Sequence, residues 1–255
     1  TIHNKKFMEN QLRQLGSSCD WSREKFTLDS DIIRIVYNTF KKLYDDGLIY
    51  RGLRSINWCT KHQTSLSELE TTSVDQVDPL YYIKYGPFVV ATVRPETIFG
   101  DVAVAVNPGD SRYKHLVGTE IEVEHPEKKV RLKVVADDFV DLEFGTGAVK
   151  VTPAHDPNDF AMSQRHNLQA PIAIDQFGKL TEICGKYVGL KVEEARKKVV
   201  EDLQKLNLIE KIEEKYTHAV KRCYKCERIL EPRIMPQWFV KMKPLAEKAI
   251  SVIEK

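Results

Sequence analysis

Two short cysteine motifs stand far apart in this chain: Cys59-Thr60-Lys61-His62 and Cys223-Tyr224-Lys225-Cys226. Each sets two metal-binding side chains around a two-residue spacer, so that both can point at one ion from a tight turn. Together they offer three thiolates and one imidazole, a complete tetrahedral set for a structural zinc. If one ion joins them, the ends of the chain close into a stem and everything between is an insertion. On that reading residues 1–78 are an N-terminal stem of helices plus the first knuckle. Residues 79–215 are the inserted domain, and 216–255 a C-terminal stem with the second knuckle and a helix. A lone Cys-x-x-Cys also serves redox chemistry, but no βαβ pattern of the thioredoxin kind surrounds this one. Two unrelated turns with buried thiols are the alternative. Cys19 and Cys184 read as structural or incidental.

The expected insertion has a different rhythm from its flanks. Candidate strands fall at 80–85, 87–93, 102–106, 120–124, 130–135 and 147–152, punctuated by Gly86-Pro87, Asn107-Pro108-Gly109 and His125-Pro126. Many short strands separated by turn residues predict a compact, β-barrel-like domain with peripheral helices. The whole is therefore α+β, a barrel-like unit set in a helical, knuckle-bearing stem. Residues 1–50 read as helices. There Asp29, Ser30 or Asp31 caps an apolar stripe of Ile32, Ile33, Val36, Tyr37, Phe40, Leu43 and Tyr44, ended by Gly47. A short strand is expected at 56–59, a helix over about 156–167, a strand at 171–174 and a terminal helix from Pro244. Val192, Ala195, Val199, Leu203 and Leu206 predict one more amphipathic helix.

At 255 residues the chain suits one large or two smaller units. A net charge of +2 with 30% charged residues gives no overall basic field, so any nucleic-acid contact must be local. Five cysteines, an odd number, point to a reducing, cytoplasmic setting rather than a disulfide framework. No apolar run suits a membrane span, and the N-terminus is no signal peptide. The chain starts and stops inside helical-looking sequence, as a piece of a longer protein would, and a monomer is expected.

Chemistry concentrates at Phe144-Gly145-Thr146-Gly147-Ala148-Val149-Lys150-Val151-Thr152-Pro153-Ala154-His155-Asp156-Pro157-Asn158-Asp159-Phe160. A glycine turn leads into a strand that places Ala148, Lys150 and Thr152 on one face. Asp156 then suits an N-cap, Pro157 the first helical position and Asp159 the third. The plain reading is capping, which any helix uses. The other reading is a polar site, completed by Thr92-Val93-Arg94-Pro95-Glu96-Thr97. Alternation places Val93 on the face opposite Thr92 and Arg94. No Gly-x-Ser-x-Gly elbow and no activated cysteine offers a covalent nucleophile.

The runs Arg94-Pro95-Glu96-Thr97, Val104-Ala105-Val106-Asn107-Pro108, Gly145 to Phe160 and Gln237-Trp238-Phe239-Val240-Lys241 together resemble the valyl-tRNA synthetases. The resemblance extends from Asp20-Trp21-Ser22-Arg23 to Lys243-Pro244-Leu245-Ala246 and falls on the inserted editing domain of that family. It implies post-transfer editing: hydrolysis of the ester of threonyl-tRNA(Val), with the remainder of the synthetase as partner. An apolar site rejects an isostere that merely adds a hydroxyl only weakly, so a second, polar site is needed. By resemblance Asp159 binds the α-ammonium, and Phe144 forms an aromatic wall. Lys150 and Asp156 are the candidates for reading the threonine hydroxyl and positioning water. Arg94 and Thr97 are placed on the terminal ribose or ester, and Thr92, Glu96, Thr152 and His155 complete the substrate-binding set. Many relatives carry Cys-x-x-Cys at both knuckles; here His62 stands in the fourth position. The family's pattern has a threonine where this chain has Val93. A cation held by His155, Asp156 and Asp159 would be opposed by Lys150 and Arg94, so no metal is expected in the editing site. No glycine-rich phosphate loop or ATP signature appears, so ATP is not used. The alternative is a non-catalytic, zinc-stapled module that docks the tRNA acceptor end.

Overall fold

The computed structural model describes residues 2–142 and 145–253. The chain forms two compact units. One takes the residues up to Arg51 and those from Trp238 onward; the other is Gly52–Gln237. In the first, helices α1 (Ile2–Gln14) and α2 (Ser30–Asp45) precede the start of strand β1 (Ile49–Cys59). The stripe on α2 brings Phe40 and Tyr44 edge-on to Trp238, with centroids 5.3 and 6.2 Å away. Val36 and Tyr37 of the same stripe stay exposed. The terminal helix, α5 (Met242–Ile253), starts two residues before the expected Pro244, which its first turn accommodates.

The second unit carries strands β2 (Thr64–Leu66), β3 (Thr71–Tyr85), β4 (Phe88–Thr92), β5 (Ala103–Val106), β6 (Glu120–Glu124), β7 (Lys129–Ala136) and β8 (Ala148–Val151). Helices α3 (Pro157–His166) and α4 (Val192–Lys205) follow, then β9 (Ile209–Cys223) and β10 (Glu231–Val240), whose residues from Trp238 belong to the first unit. The strands form three sheets, ordered β10-β1-β2, β4-β3-β9 and β6-β7-β5-β8. The barrel expectation needs correcting to open sheets: among the described residues no ladder joins β6 or β8 to the edges β4 and β9. The mixed sheet is fixed by its centre. Ala103 to Val106 are all fully buried, and a short, wholly apolar strand suits burial on both faces. It pairs parallel with β7 and antiparallel with β8.

One face of that strand, through Val104 and Val106, joins a core with Ile83, Phe88, Val90, Ile98, Leu132 and the α4 stripe Ala195, Val199 and Leu203. Its other face, through Ala103 and Ala105, packs with Val151 and Met162 of α3. Five of the six expected strands are present within a residue or so of their bounds, and the one expected at 80–85 is the end of the longer β3. The expected strand at 171–174 is absent apart from a single Ile174–Leu180 bridge. The backbone N–H groups of Ala173 and Ile174 donate instead to His155 Nε2, at 2.8 and 3.2 Å.

Two long strands lie where the chain was read as boundary. β3 and β9 pair antiparallel from Thr71↔Cys223 to Ile83↔Ile209, with register shifts at Asp78/Leu80 and Tyr82/Ile83. Pro79 sits in the first shift, where its missing N–H interrupts the ladder. The positions 78/79 and 215/216 therefore fall inside a continuous ribbon.

Candidate functional site

A cavity of about 390 Å³ opens between β8, the mouth of α3, the turn after β4 and the β3–β9 ribbon. Thr92, Arg94, Thr97, Lys150, Thr152, His155, Asp156 and Asp159 all line it. Glu96 lies behind this wall, fully buried, and Phe144 falls outside the described residues. Val93 lines the cavity as well. The strand ends at Thr92, so alternation does not carry past it.

The glycine turn shapes the rim. Gly145 and Gly147 both take positive φ, a backbone conformation that favours glycine at each position. The strand beyond it delivers Lys150, almost wholly buried, to the cavity floor. There Nζ donates to Thr97 Oγ1 and Asp101 Oδ1, each at 3.1 Å, and to Thr152 Oγ1.

The two carboxylates of the helix mouth part company. Asp156 is the N-cap of α3: its Oδ1 accepts from Asn158 N at 2.7 Å and Asp159 N at 3.1 Å. Asp159 does not complete a reciprocal capping box. Its Oδ2 reaches back to accept from Thr152 N, 2.8 Å away, and it forms no ion pair among the described residues. Burial, reinforced by the charge of Asp156, pushes its carboxyl up to about 7 against the pull of Lys150. His155 is held neutral. Burial, then the charges of Arg94, Lys150 and Arg233, bring it down to about 3. Because Nε2 accepts from two backbone N–H groups, the ring proton sits on Nδ1.

Arg94 is committed on two sides. Its Nε donates to Glu96 Oε1 at 3.2 Å, and its Nη2 pairs with Glu231. Glu96 is also clamped by Arg196 of α4, at 2.8 and 2.9 Å. Burial opposes the charge on Glu96, and these two guanidiniums hold its carboxyl below the usual range regardless. The turn is fixed locally too, by Arg94 N donating to Thr92 Oγ1 and Thr97 Oγ1 donating to Arg94 O, both at 3.0 Å.

Several contributors were not legible in the sequence. Asp101, Arg196 and Glu231 come from separate elements, and nothing local marks them as partners of Lys150, Glu96 and Arg94. Leu80, Tyr82, Glu213, Tyr216 and His218 form the ribbon wall. The alternation of Tyr216, His218 and Val220 is the sequence signal that marks a strand there. His218 is tied to Asp78, Nε2 to Oδ2, at 2.9 Å. A broader groove of about 1020 Å³ adjoins the cavity and shares Val93, Arg94, His155, Asp156 and His218 with it.

The second candidate site is the knuckle pair. The four ligand atoms of Cys59, His62, Cys223 and Cys226 lie within 4.8 Å of one another. Cys59 Sγ is 3.5 Å from His62 Nδ1 and 3.6 Å from Cys226 Sγ, and Cys223 Sγ is 3.6 Å from His62 Nδ1. A tetrahedron with Zn–S of about 2.3 Å and Zn–N of about 2.0–2.1 Å has edges of roughly 3.5–3.8 Å, so the set fits one such ion. The N–H groups of Lys61 and His62 face the Cys59 sulfur, and those of Lys225 and Cys226 face Cys223. Burial pushes Cys223 up, but these donors and His62 outweigh it and bring the thiol to about 6. Gln63 and Glu227, directly after each motif, both take positive φ and turn the chain away.

Comparison with known proteins covers the whole of this architecture. The family model for tRNA synthetases class I (I, L, M and V) matches residues 2–255. A valine–tRNA ligase of Carboxydothermus hydrogenoformans is 50% identical across 94% of this chain and 28% of its own length. Those of Pseudothermotoga lettingae and Thermotoga maritima are each 48% identical, over 98% and 97% of this chain and 29% of their own length. The chain therefore spans under a third of the length of these relatives.

Proposed function

We propose, for a chain that belongs to the class I tRNA synthetases (I, L, M and V), that its cavity edits: it hydrolyses the ester of tRNA(Val) mischarged with threonine. The observation that carries this reading is Asp159. A nearly buried carboxylate on a cavity wall, with a backbone N–H and no ion-pair partner among the described residues, is a place for an ammonium. An α-ammonium docked there would draw off the proton that burial retains. The esterified side chain then points toward the floor built from Thr97, Lys150 and Thr152, and the free Oδ2 of Asp156 stands beside it to hold water or hydroxyl.

Hydrolysis on this reading is attack on the ester by a positioned water, with electrostatic placement supplying the rate. A free ribose hydroxyl of the substrate helps. Arg94, Glu96 and Thr92 shape the wall where the terminal ribose would lie. His155 Nε2 is committed to backbone donors and is not offered to a cation, which favours chemistry without a metal in this cavity. The adjoining groove has the size for the acceptor end of the tRNA. Zinc suits the knuckles, where its chemistry is structural: it would hold two distant turns together. Residues 79–215 would carry editing, with the ends of the chain as stem and the rest of a synthetase as partner. Among the described residues no helix is long and apolar enough to cross a membrane.

The test is deacylation of threonyl-tRNA(Val) and valyl-tRNA(Val) without ATP. The threonyl ester is expected to fall well ahead of the valyl ester. Equal rates would mean that the pocket does not read the hydroxyl. Binding without any hydrolysis would leave a docking module instead.

A further inference from the structure

An ammonium group has three N–H donors and no acceptor. Lys150, its side chain 9% exposed, has all three committed within the protein: to Thr97, Asp101 and Thr152. The pivot is Asp101, whose side chain is completely buried and does not line the cavity. Its Oδ1 accepts from Lys150 and from the Thr152 hydroxyl; its Oδ2 accepts from the Tyr85 hydroxyl at 2.7 Å. The Thr97 hydroxyl donates to Arg94 O. Both threonine hydrogens therefore point into the protein, and each oxygen, already accepting from Lys150, keeps one lone pair.

We infer that Asp101 is a positioning residue for the pocket, fixing Lys150 and Thr152 so that the floor meets a substrate as a hydrogen-bond acceptor. The inference rests on the hydrolytic reading and sharpens it. The floor selects amino-acid esters whose side chain carries an O–H donor, and Lys150 acts by orienting Thr97 and Thr152 rather than by touching the substrate. A side-chain hydroxyl donates into one of those two lone pairs. A methyl in its place leaves that acceptor buried and unpaired, which disfavours the apolar ester. Without the Asp101 carboxylate, Lys150 regains a free N–H and the Thr152 hydroxyl is released, so the floor presents donors where it had presented acceptors.

The experiment uses the intact protein that carries this chain. It measures deacylation of threonyl- and valyl-tRNA(Val) by wild type, Asp101→Asn, Lys150→Met and the double variant. Asp101→Asn is expected to lower the threonyl-to-valyl ratio of kcat/KM by about tenfold or more. Because Asp101 acts in part through Lys150, the same change in the Lys150→Met background should move the ratio by clearly less than it does in wild type. A purely structural role would lower melting and slow both esters alike, leaving the ratio unchanged. Tyr85→Phe, which removes only the donor to Oδ2, is the milder variant should Asp101→Asn fail to fold, and it should move the ratio the same way by about threefold. An unchanged ratio in a folded variant, or independent effects of the Asp101 and Lys150 changes, overturns the inference. If wild type spares both esters, the hydrolytic reading itself falls and takes the inference with it.

Discussion

The knuckles and the cavity are both polar clusters gathered from distant sequence, yet they are completed in opposite ways. At the knuckles, four ligand atoms converge on a common centre with each other as neighbours, and the surrounding N–H groups favour thiolate. Such a set is completed by a cation. In the cavity, Lys150 and Thr152 are satisfied through Asp101, and Arg94 through Glu96 and Glu231, whereas Asp159 has no ion-pair partner among the described residues. The first arrangement would, with zinc as its ligand, draw its cohesion from the ion. The second keeps its shape when empty and reserves one charge for what enters, which is how a site stays ready without collapsing.

The largest effect expected from this contrast lies at the knuckles. Structural zinc is worth about 10–16 kcal/mol in small zinc peptides, so even partial dependence should be visible. Chelation, or Cys223→Ser with Cys226→Ser, should lower melting by about 10 °C or more while the four-stranded sheet around β5 keeps its protection from hydrogen exchange. Protein free of zinc by elemental analysis, with melting untouched by chelators, would remove the contrast altogether.

Next in size is Asp159→Asn. Loss of a charge-assisted contact worth roughly 1.5–3 kcal/mol should slow deacylation by about tenfold or more. Stability should move the other way, with a defined pH dependence. Below about pH 3 the carboxyl is largely neutral in folded and unfolded chains alike. As pH rises toward 7 the unfolded chain releases its proton, whereas the folded chain retains it up to about 7, so wild type loses stability across that window. Asparagine has no such titration. The variant should therefore melt progressively higher than wild type between pH 4 and 8. Parallel melting curves across that range would show that Asp159 is not strained by burial.

The smallest effect returns to the knuckles. Gln63→Gly and Glu227→Gly relieve residues with φ of 51° and 60° and should each stabilise by up to about 1 kcal/mol, without changing deacylation. A loss of stability on thermal melting would mean that these side chains hold the turns by contacts of their own.

What could be read beforehand follows from how local each signal is. The knuckles were legible because each half is a four-residue motif, and the α3 cap because Asp156, Pro157 and Asp159 follow in succession. The β5 strand was legible because Val102 to Val106 is short and apolar. The barrel was overread, since strand count does not reveal whether edges meet. Asp101 was missed because it ends a short helical turn, where an acidic residue excites no suspicion, and its partners lie 16, 49 and 51 residues away in sequence. Val93 was misplaced because alternation was carried past the last paired residue.

The β3–β9 ribbon ties the two clusters into one gauge. Cys223 pairs with Thr71 at one end of its ladder, while Tyr216 and His218 stand across from Asp78 and Gln76 farther along. Side chains alternate with a period of two, so a slip of one residue would turn every one of them to the opposite face. Cys223 would swing away from Cys59 and His62, and Tyr216 and His218 would leave the cavity wall together. With a cation bound, the four-ligand cluster would work as an indexing pin: by holding one rung of the ribbon it would set the calibration of the wall several rungs away.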